Sequence, residues 1–293
     1  MPKSHSIGLA CTALTAMLLA ACSSVEIRSN WAETPDVGDF VNDALTHADR
    51  LGSNRILVVF DLDNTLLAME QGLGSDQWYE WQKAAAAADR CDPRVVADRL
   101  AVQGALYYAS AMRPTQTEAP ALLRALQEAG IRVIALTSRG TGFRLQTFRE
   151  LRRNGYDFRR TALRPRAGWP DDFLPDNGLR PVRYEDGVFL TTGQHKGAML
   201  LDLLRRTETS MPDVIFMLDD KQDNLDAIHE SFAPLGVRVR TWRYTGEDEN
   251  VAQFDADESD TLWQSVAPAL KDIEAAFGPD HYSLDGALEK NGC

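Results

Sequence analysis

The chain has 293 residues, 44% of them hydrophobic and 25% charged, the balance of an ordinary globular protein rather than of a disordered or fibrous one. Its formal net charge of −12 argues against a nucleic-acid surface, whose first requirement is a basic face. An anionic substrate would have to be held by local positive charge and a metal.

Lys3 stands ahead of an apolar stretch from Ile7 to Ala21. That stretch is too short for a spanning helix, which needs about 20 apolar residues, and reads as a secretory leader over residues 1–21. Leu19-Ala20-Ala21-Cys22 resembles the bacterial lipobox, in which the chain is cleaved before the cysteine and that residue is lipidated. With Ser23 rather than Asp next, the resemblance implies the periplasmic face of the outer membrane, and membrane contact through the lipid anchor only. A leader cut nearby, or an anchor that stays, is the alternative. Residues 22–39 read as a polar tether. Of the other cysteines, Cys11 leaves with the leader, and Cys91 and Cys293 are either a disulfide or two free thiols.

The body opens with Phe40, Val41, Ala44, Leu45, Ala48 and Leu51 on one helical face, stopped by Gly52. The apolar run Ile56–Phe60 follows as a buried strand and ends in Asp61-Leu62-Asp63-Asn64-Thr65. Residues 69–112 then hold two helical stretches, Asp76–Arg90 and Val95–Ala109, and read as a helical cap inserted into a core of residues 40–68 and 113–293. The core resumes with a helix over Glu118–Ala129 and a strand over Ile131–Leu136 that ends in Thr137-Ser138-Arg139. A helix from Phe143 to Asn154 leads into a second, irregular insert at residues 158–195, where Glu185-Asp186-Gly187 sits between two short strand runs as a hairpin signal. Lys196-Gly197 opens a helical stretch, and the strand Val214–Leu218 ends in Asp219-Asp220. Leu225, Ile228 and Phe232 suggest a helix, Val237–Trp242 a further strand, and Leu262, Val266, Leu270, Ile273 and Phe277 one face of a closing helix. Strands alternating with helices predict an α/β fold, a parallel sheet flanked by helices, in which ligands bind beyond the carboxyl ends of the strands.

Two carboxylates two residues apart at a strand end repel each other unless a cation lies between them, and for clustered hard oxygens beside a phosphate that cation is Mg²⁺. An acidic turn after a strand is the plainer alternative. In order and spacing, Asp61-Leu62-Asp63-Asn64-Thr65, Thr137-Ser138, Lys196 and Asp219-Asp220 resemble the four motifs of the haloacid dehalogenase-like hydrolase superfamily, from about Ile56 to Trp242. The resemblance implies a Rossmannoid core with a cap after the first motif and a smaller insert between the second and third. It makes Asp61 the nucleophile that forms an aspartyl-phosphate and Asp63 the group that protonates the leaving alcohol and then activates water. Thr137, or Ser138 in its place, would bind a phosphoryl oxygen, and Lys196 would steady the transferring group. Mg²⁺ would be held by Asp61, the backbone carbonyl of Asp63 and Asp219, with Asp220 either a further ligand or the orienter of Lys196. Asp223 and Asn224 are ligand candidates or caps of the following helix.

Asp63 points to a phosphatase or phosphotransferase acting on a small phosphorylated substrate, because dehalogenase members lack this second acid. Arg139 and Arg144 are candidates to grip a second anionic group, or surface arginines. Trp78, Tyr79, Trp81, Tyr107 and Tyr108 either line a pocket or form the cap's own core. His195 has no paired metal-ligand spacing. The whole-core pattern is closest to a little-characterised branch of secreted bacterial hydrolase-like proteins. Class C acid phosphatases are the second comparison, from which Asn64 and the pair Asp219-Asp220 depart. A non-catalytic lipoprotein scaffold is the reading from another class.

Overall fold

The computed structural model describes residues 30–277, so Cys22 and Cys293 lie outside the described residues. In chain order the first half contains β1 (Asn30–Thr34), α1 (Val37–Leu51), β2 (Ile56–Phe60), β3 (Leu67–Met69), α2 (Asp76–Ala88), α3 (Arg99–Ala109), β4 (Met112–Pro114), α4 (Ala119–Glu128), β5 (Arg132–Thr137) and α5 (Arg144–Arg153). The second half contains β6 (Arg183–Glu185), β7 (Val188–Leu190), α6 (Lys196–Arg206), β8 (Val214–Asp219), α7 (Gln222–Phe232), β9 (Arg238–Tyr244), α8 (Asp248–Ala252) and α9 (Ala256–Phe277). No helix among the described residues is long and apolar enough to cross a membrane.

Seven strands form one sheet in the order β1-β9-β8-β2-β5-β7-β6, parallel throughout except for β6, which runs antiparallel to β7. The fold is therefore α/β with a mostly parallel sheet flanked by helices. Every residue of β2 is buried, as a central parallel strand covered on both faces requires. Its side chains alternate between two cores: Ile56, Val58 and Phe60 pack with α1 and α4, while Leu57 and Val59 pack with α6 and α7. Parallel pairing of β2 with both β5 and β8 brings the ends of all three strands to the same side of the sheet.

Helices α2 and α3 lie between β3 and β4, which pair antiparallel from Leu67↔Pro114 to Met69↔Met112 and form a two-stranded stem at the edge of the core. They share a third apolar cluster with α9, in which Leu73, Trp78, Val102 and Leu106 meet Trp263 and Leu270.

Two boundaries differ from the sequence reading. The tether does not extend to residue 39, because Asn30–Thr34 pairs with β9 as the edge strand and Asp36 caps α1 by accepting from the Gly38 amide at 2.7 Å. An edge strand held by backbone hydrogen bonds needs no apolar alternation, and Asn-Trp-Ala-Glu-Thr has none. The closing helix α9, assigned to the core, packs on the cap instead. Its buried residues are Trp263 and Leu270 with Ser259, while Leu262, Ile273 and Phe277 of the expected face are exposed. Cys91 is disulfide-bonded, which resolves the alternative of two free thiols for that residue.

Candidate functional site

Asp61 is the first residue beyond β2, and its amide donates to the Leu218 carbonyl of β8 at 2.9 Å, so the chain is still in sheet register where it delivers the carboxylate. The turn that follows needs a left-handed residue. Asn64 takes φ 56°, a conformation that Asn tolerates better than most residues. The turn closes with the Asn64 amide on the Leu67 carbonyl at 2.8 Å and the Leu66 amide on the Leu62 carbonyl at 3.0 Å. This folding back buries Thr65 against Asp61. The Thr65 hydroxyl donates to Asp61 Oδ2 at 3.3 Å and accepts the Asp220 amide at 3.0 Å, tying the ends of β2 and β8 together.

Lys196 opens α6 and is 1% exposed. Its Nζ donates to Asp61 Oδ1 at 2.5 Å and to Asp219 Oδ2 at 2.7 Å. Gly197 makes that reach possible: a Cβ there would lie 1.9 Å from the Ala227 carbonyl oxygen, so only glycine lets the start of α6 press against α7. The other Asp219 oxygen, Oδ1, accepts from the Lys221 amide and from Asn224 Nδ2, both at 2.9 Å. Asn224 is thus an orienter of Asp219, and Asp219, not Asp220, is the carboxylate that orients Lys196.

Asp61, Asp219 and Asp220 each offer an oxygen within 4.8 Å of the others. Three carboxylates against one lysine leave net negative charge in a buried place. Burial, with Asp219 and Asp63 nearby, pushes the Asp61 carboxyl up to about 7 despite Lys196, and burial, with Asp219, Asp61 and Asp76 nearby, drives Asp220 well above the ordinary range. Burial alone would lower Lys196, but Asp219 and Asp61 hold it above its usual value. An all-oxygen donor set with surplus charge fits a hard divalent cation.

The carboxylate of Asp63 is not part of that cluster. It meets Arg139, whose Nε donates to Oδ2 at 2.9 Å and Nη2 to Oδ1 at 2.8 Å, while the Tyr107 hydroxyl donates to Oδ1 at 3.0 Å. Burial would raise this carboxyl, yet the Arg139 guanidinium outweighs it and holds Asp63 below the ordinary carboxylate range. Arg139 is 4% exposed, anchored by Thr147 Oγ1 at 2.9 Å, and lies over the Tyr107 ring. Its expected role as a grip on substrate is replaced by this ion pair. Arg144 is withdrawn as well, because it pairs with Glu185 on the outer side of β6.

Thr137 ends β5 fully buried, its hydroxyl oxygen accepting the Arg139 amide at 3.2 Å and its proton left available. Ser138 beside it is exposed. Residues 33–276 match the family described as "Protein of unknown function (DUF2608)". The chain belongs to that family. No curated protein matches it.

In this DUF2608 chain a cleft of about 370 Å³ opens beside Asp63 and Arg139, between the cap residues Asp76, Tyr79 and Tyr107 and the loop residues Ser138, Thr192 and Lys221. That volume suits a small ligand. Lys221 crosses the cleft to the cap and pairs with Asp76 at 2.7 Å and Glu80 at 3.5 Å. The aromatic residues divide between the two expected roles: Trp78 is cap core, Tyr79 and Tyr107 line the cleft, and Tyr108 is exposed. Sequence reasoning did not assign Thr65 or Lys221 to the site, and it left Tyr107 open between pocket and cap core. Thr65 had a signal, four residues after Asp61, but contacts that depend on how the cap sits over the core had none.

Proposed function

We propose that this chain is a Mg²⁺-dependent phosphomonoester hydrolase of the haloacid dehalogenase-like type, working through an aspartyl-phosphate on Asp61 and tethered by a lipidated Cys22 in the bacterial envelope. The observation that carries the reading is the contact of Lys196 with both Asp61 and Asp219, which brings three separated motifs to one point at the strand ends. A lysine buried between two carboxylates, with a third acid close by, is more than a sheet needs for its own stability, since buried charge is costly.

In this mechanism Asp61 attacks the phosphorus, the ester P–O bond breaks, and the departing oxygen takes up a proton from solvent water or from Asp63 in its protonated form. Water then attacks the phosphorus of the aspartyl-phosphate, releasing inorganic phosphate and restoring the Asp61 carboxylate. The charge of the transferring group spreads over three oxygens, which Lys196 and the Thr137 hydroxyl would meet. Asp63, ionised against Arg139, is suited to take the proton of the attacking water; handing one to the leaving oxygen requires the Arg139 contact to loosen. Asp61, Asp219 and Asp220, with the Asp63 backbone carbonyl, would hold the cation, which when bound neutralises phosphoryl oxygens and lets the anion approach Asp61.

The test is phosphate release from a panel of monoesters, with and without Mg²⁺, by wild type and Asp61→Asn. Mg²⁺-dependent release by the wild type alone supports the reading. Absence of release from every ester, together with absence of Mg²⁺ binding, would favour a scaffold that binds a periplasmic partner.

A further inference from the structure

The carboxylates stand at the C-terminal ends of the parallel strands, and the opposite end of the sheet carries the contrary charge. Arg55, Arg132 and Arg238 lie at this end, at the starts of β2, β5 and β9, with β8 between β2 and β9, as the pairings Ile56↔Val214, Leu57↔Arg132 and Val214↔Arg238 require. Arg55 and Arg238 share Asp213, and Arg132 Nη2 donates to the Asn54 carbonyl at 2.8 Å. Helix α6 runs from Lys196 to this end and finishes at Arg206, roughly 15 Å away at 1.5 Å per residue. Arg206 lies over Trp169 at 4.7 Å and Phe173 at 4.1 Å. With Arg164, Arg166 and Trp169 it lines an open cleft of about 570 Å³ in which Glu208 is the acid present. Arg164 and Arg166 are exposed, and no ion pair to either is found among the described residues. Two exposed apolar residues, Met211 and Leu235, precede β8 and β9 at the same end.

Helix C-termini favour basic residues through their dipoles, which accounts for Arg205 and Arg206 in the last turn of α6. It does not account for Arg164 and Arg166 on a loop, nor for arginines at three strand starts. The chain also enters the fold here: β1 is parallel to β9, with Asn30 opposite Arg240. Cys22 stands eight residues before Asn30, at most about 28 Å of extended chain.

We propose that this basic end docks on an anionic phospholipid surface, with a headgroup phosphate seated in the cleft of Arg164, Arg166, Trp169 and Arg206 and the carboxylate site turned away from the membrane. The orientation rests on the lipid anchor at Cys22 proposed above. A chain of net charge −12 is repelled by an anionic bilayer unless it presents a locally positive face. Guanidinium groups meet phosphate oxygens in pairs, and Trp169, Met211 and Leu235 supply the apolar contact that a lipid interface accepts and a nucleic-acid backbone does not.

The test uses two forms of the protein. The chain from Ser23 onward carries no lipid but keeps all three hydrophobic clusters and every strand pairing of residues 30–277. It should sediment with vesicles rich in phosphatidylglycerol and not with phosphatidylcholine vesicles. Combined Arg164→Gln, Arg166→Gln and Arg206→Gln should lower that partition by more than about tenfold, the corresponding Arg→Lys set should restore most of it, and Lys271→Gln on α9 should leave it unchanged. In the lipidated full chain, tryptic cleavage after Arg166 should be slower on phosphatidylglycerol than on phosphatidylcholine vesicles. Absence of binding to phosphatidylglycerol overturns the proposal. So does binding untouched by the glutamine set, or capture of an oligonucleotide in place of vesicles. Fatty-acid labelling of the full chain, compared with Cys22→Ala, reports the anchor separately, so failure of the anchor and failure of the docking face are distinguishable.

Discussion

Arg139 and Asp63 form a two-pronged ion pair inside the protein, with Nε to Oδ2 at 2.9 Å and Nη2 to Oδ1 at 2.8 Å, at the point where cap and core meet. Tyr107 of α3 adds its hydroxyl to the same carboxylate. The pair commits both oxygens of Asp63 to Arg139 and leaves that carboxylate out of the cluster of Asp61, Asp219 and Asp220, although Asp61 and Asp63 leave the same strand two positions apart. Arg139→Ala leaves a carboxylate that is only 18% exposed without its fork and is expected to destabilise the fold by about 1–3 kcal/mol. Arg139→Lys keeps the charge and loses the fork, so it should recover part of the stability but not the fixed orientation of Asp63. Urea unfolding of the two variants checks the order; equal stability of Ala and wild type would refute the account.

Burial pushes the Asp61 carboxyl up to about 7, with the neighbouring carboxylates of Asp219 and Asp63 adding to the rise and Lys196 only partly offsetting it. A divalent ion should therefore raise the Tm of the wild type, since binding to the folded state alone stabilises it by about 2.7 kcal/mol at a hundredfold excess over Kd. Asp61→Asn removes one of the repelling charges. Its Tm without metal should equal or exceed that of the wild type, while its response to Mg²⁺ should shrink. A thermal melt with chelator and then with Mg²⁺ measures both, and equal Mg²⁺ responses would remove Asp61 from the ion's site.

Gly197 is required by distance rather than by backbone conformation, because its missing Cβ faces the Ala227 carbonyl oxygen at 1.9 Å. Gly197→Ala must push the start of α6 off α7, and Lys196 goes with it. Overpacking of this kind typically costs about 1–3 kcal/mol. Phosphate release should fall far more than stability does, because the Lys196 contacts to Asp61 and Asp219 are 2.5 and 2.7 Å and have no slack. A variant with wild-type turnover would mean that α6 can move without carrying the lysine away.

Glu185 sits between Arg144 and Arg183, and hydrogen bonding from Arg144 is the main reason its carboxyl is held below the ordinary value of 4.5. A depressed carboxylate favours the folded state fully above its unfolded value, and that contribution is lost as pH falls from 4.5 through the folded value. Glu185→Gln should therefore be less stable than wild type at neutral pH and converge with it below pH 4.5. Urea midpoints across that range check the sign. A gap that stays constant with pH would mean that the loss came from packing.

The parts of this arrangement that a sequence can carry are those fixed by local pattern. Ile56–Phe60 is apolar without interruption because it is covered on both faces, and the acids directly after it mark the strand end. Arg139 is the opposite case: its neighbours Thr137 and Ser138 placed it near the site, but nothing local says that its guanidinium turns to Asp63, 76 positions earlier in the chain. Tyr107, Lys221 and Asp76 are likewise defined by contacts across the cap. The edge strand Asn30–Thr34 was illegible because backbone pairing with β9, not side-chain burial, holds it. In α9 both faces carry apolar residues: of the face that periodicity chose, Leu270 and Val266 pack on the cap while Leu262, Ile273 and Phe277 are exposed, and the cap adds Trp263, which lies off that face.

The placement of α9 makes a mutation far from the carboxylates consequential. Trp263 is 9% exposed and packs in one cluster with Trp78 and Leu106, the residues that hold α2 and α3 together. Helix α2 carries Asp76, which Lys221 grips, and α3 carries Tyr107, which reaches Asp63. Trp263→Ala removes a large ring from that cluster, at an expected cost of about 3–5 kcal/mol. The sheet and its two cores do not touch this residue, so the loss should appear as faster amide exchange in α2 and α3 before it appears in β2 or β8. For catalysis the expected signature is a raised KM with a smaller change in kcat, since the cap forms one wall of the cleft while the carboxylates stay on the strands. Uniform loss of protection across β2, β8 and the cap would instead make α9 part of one cooperative core.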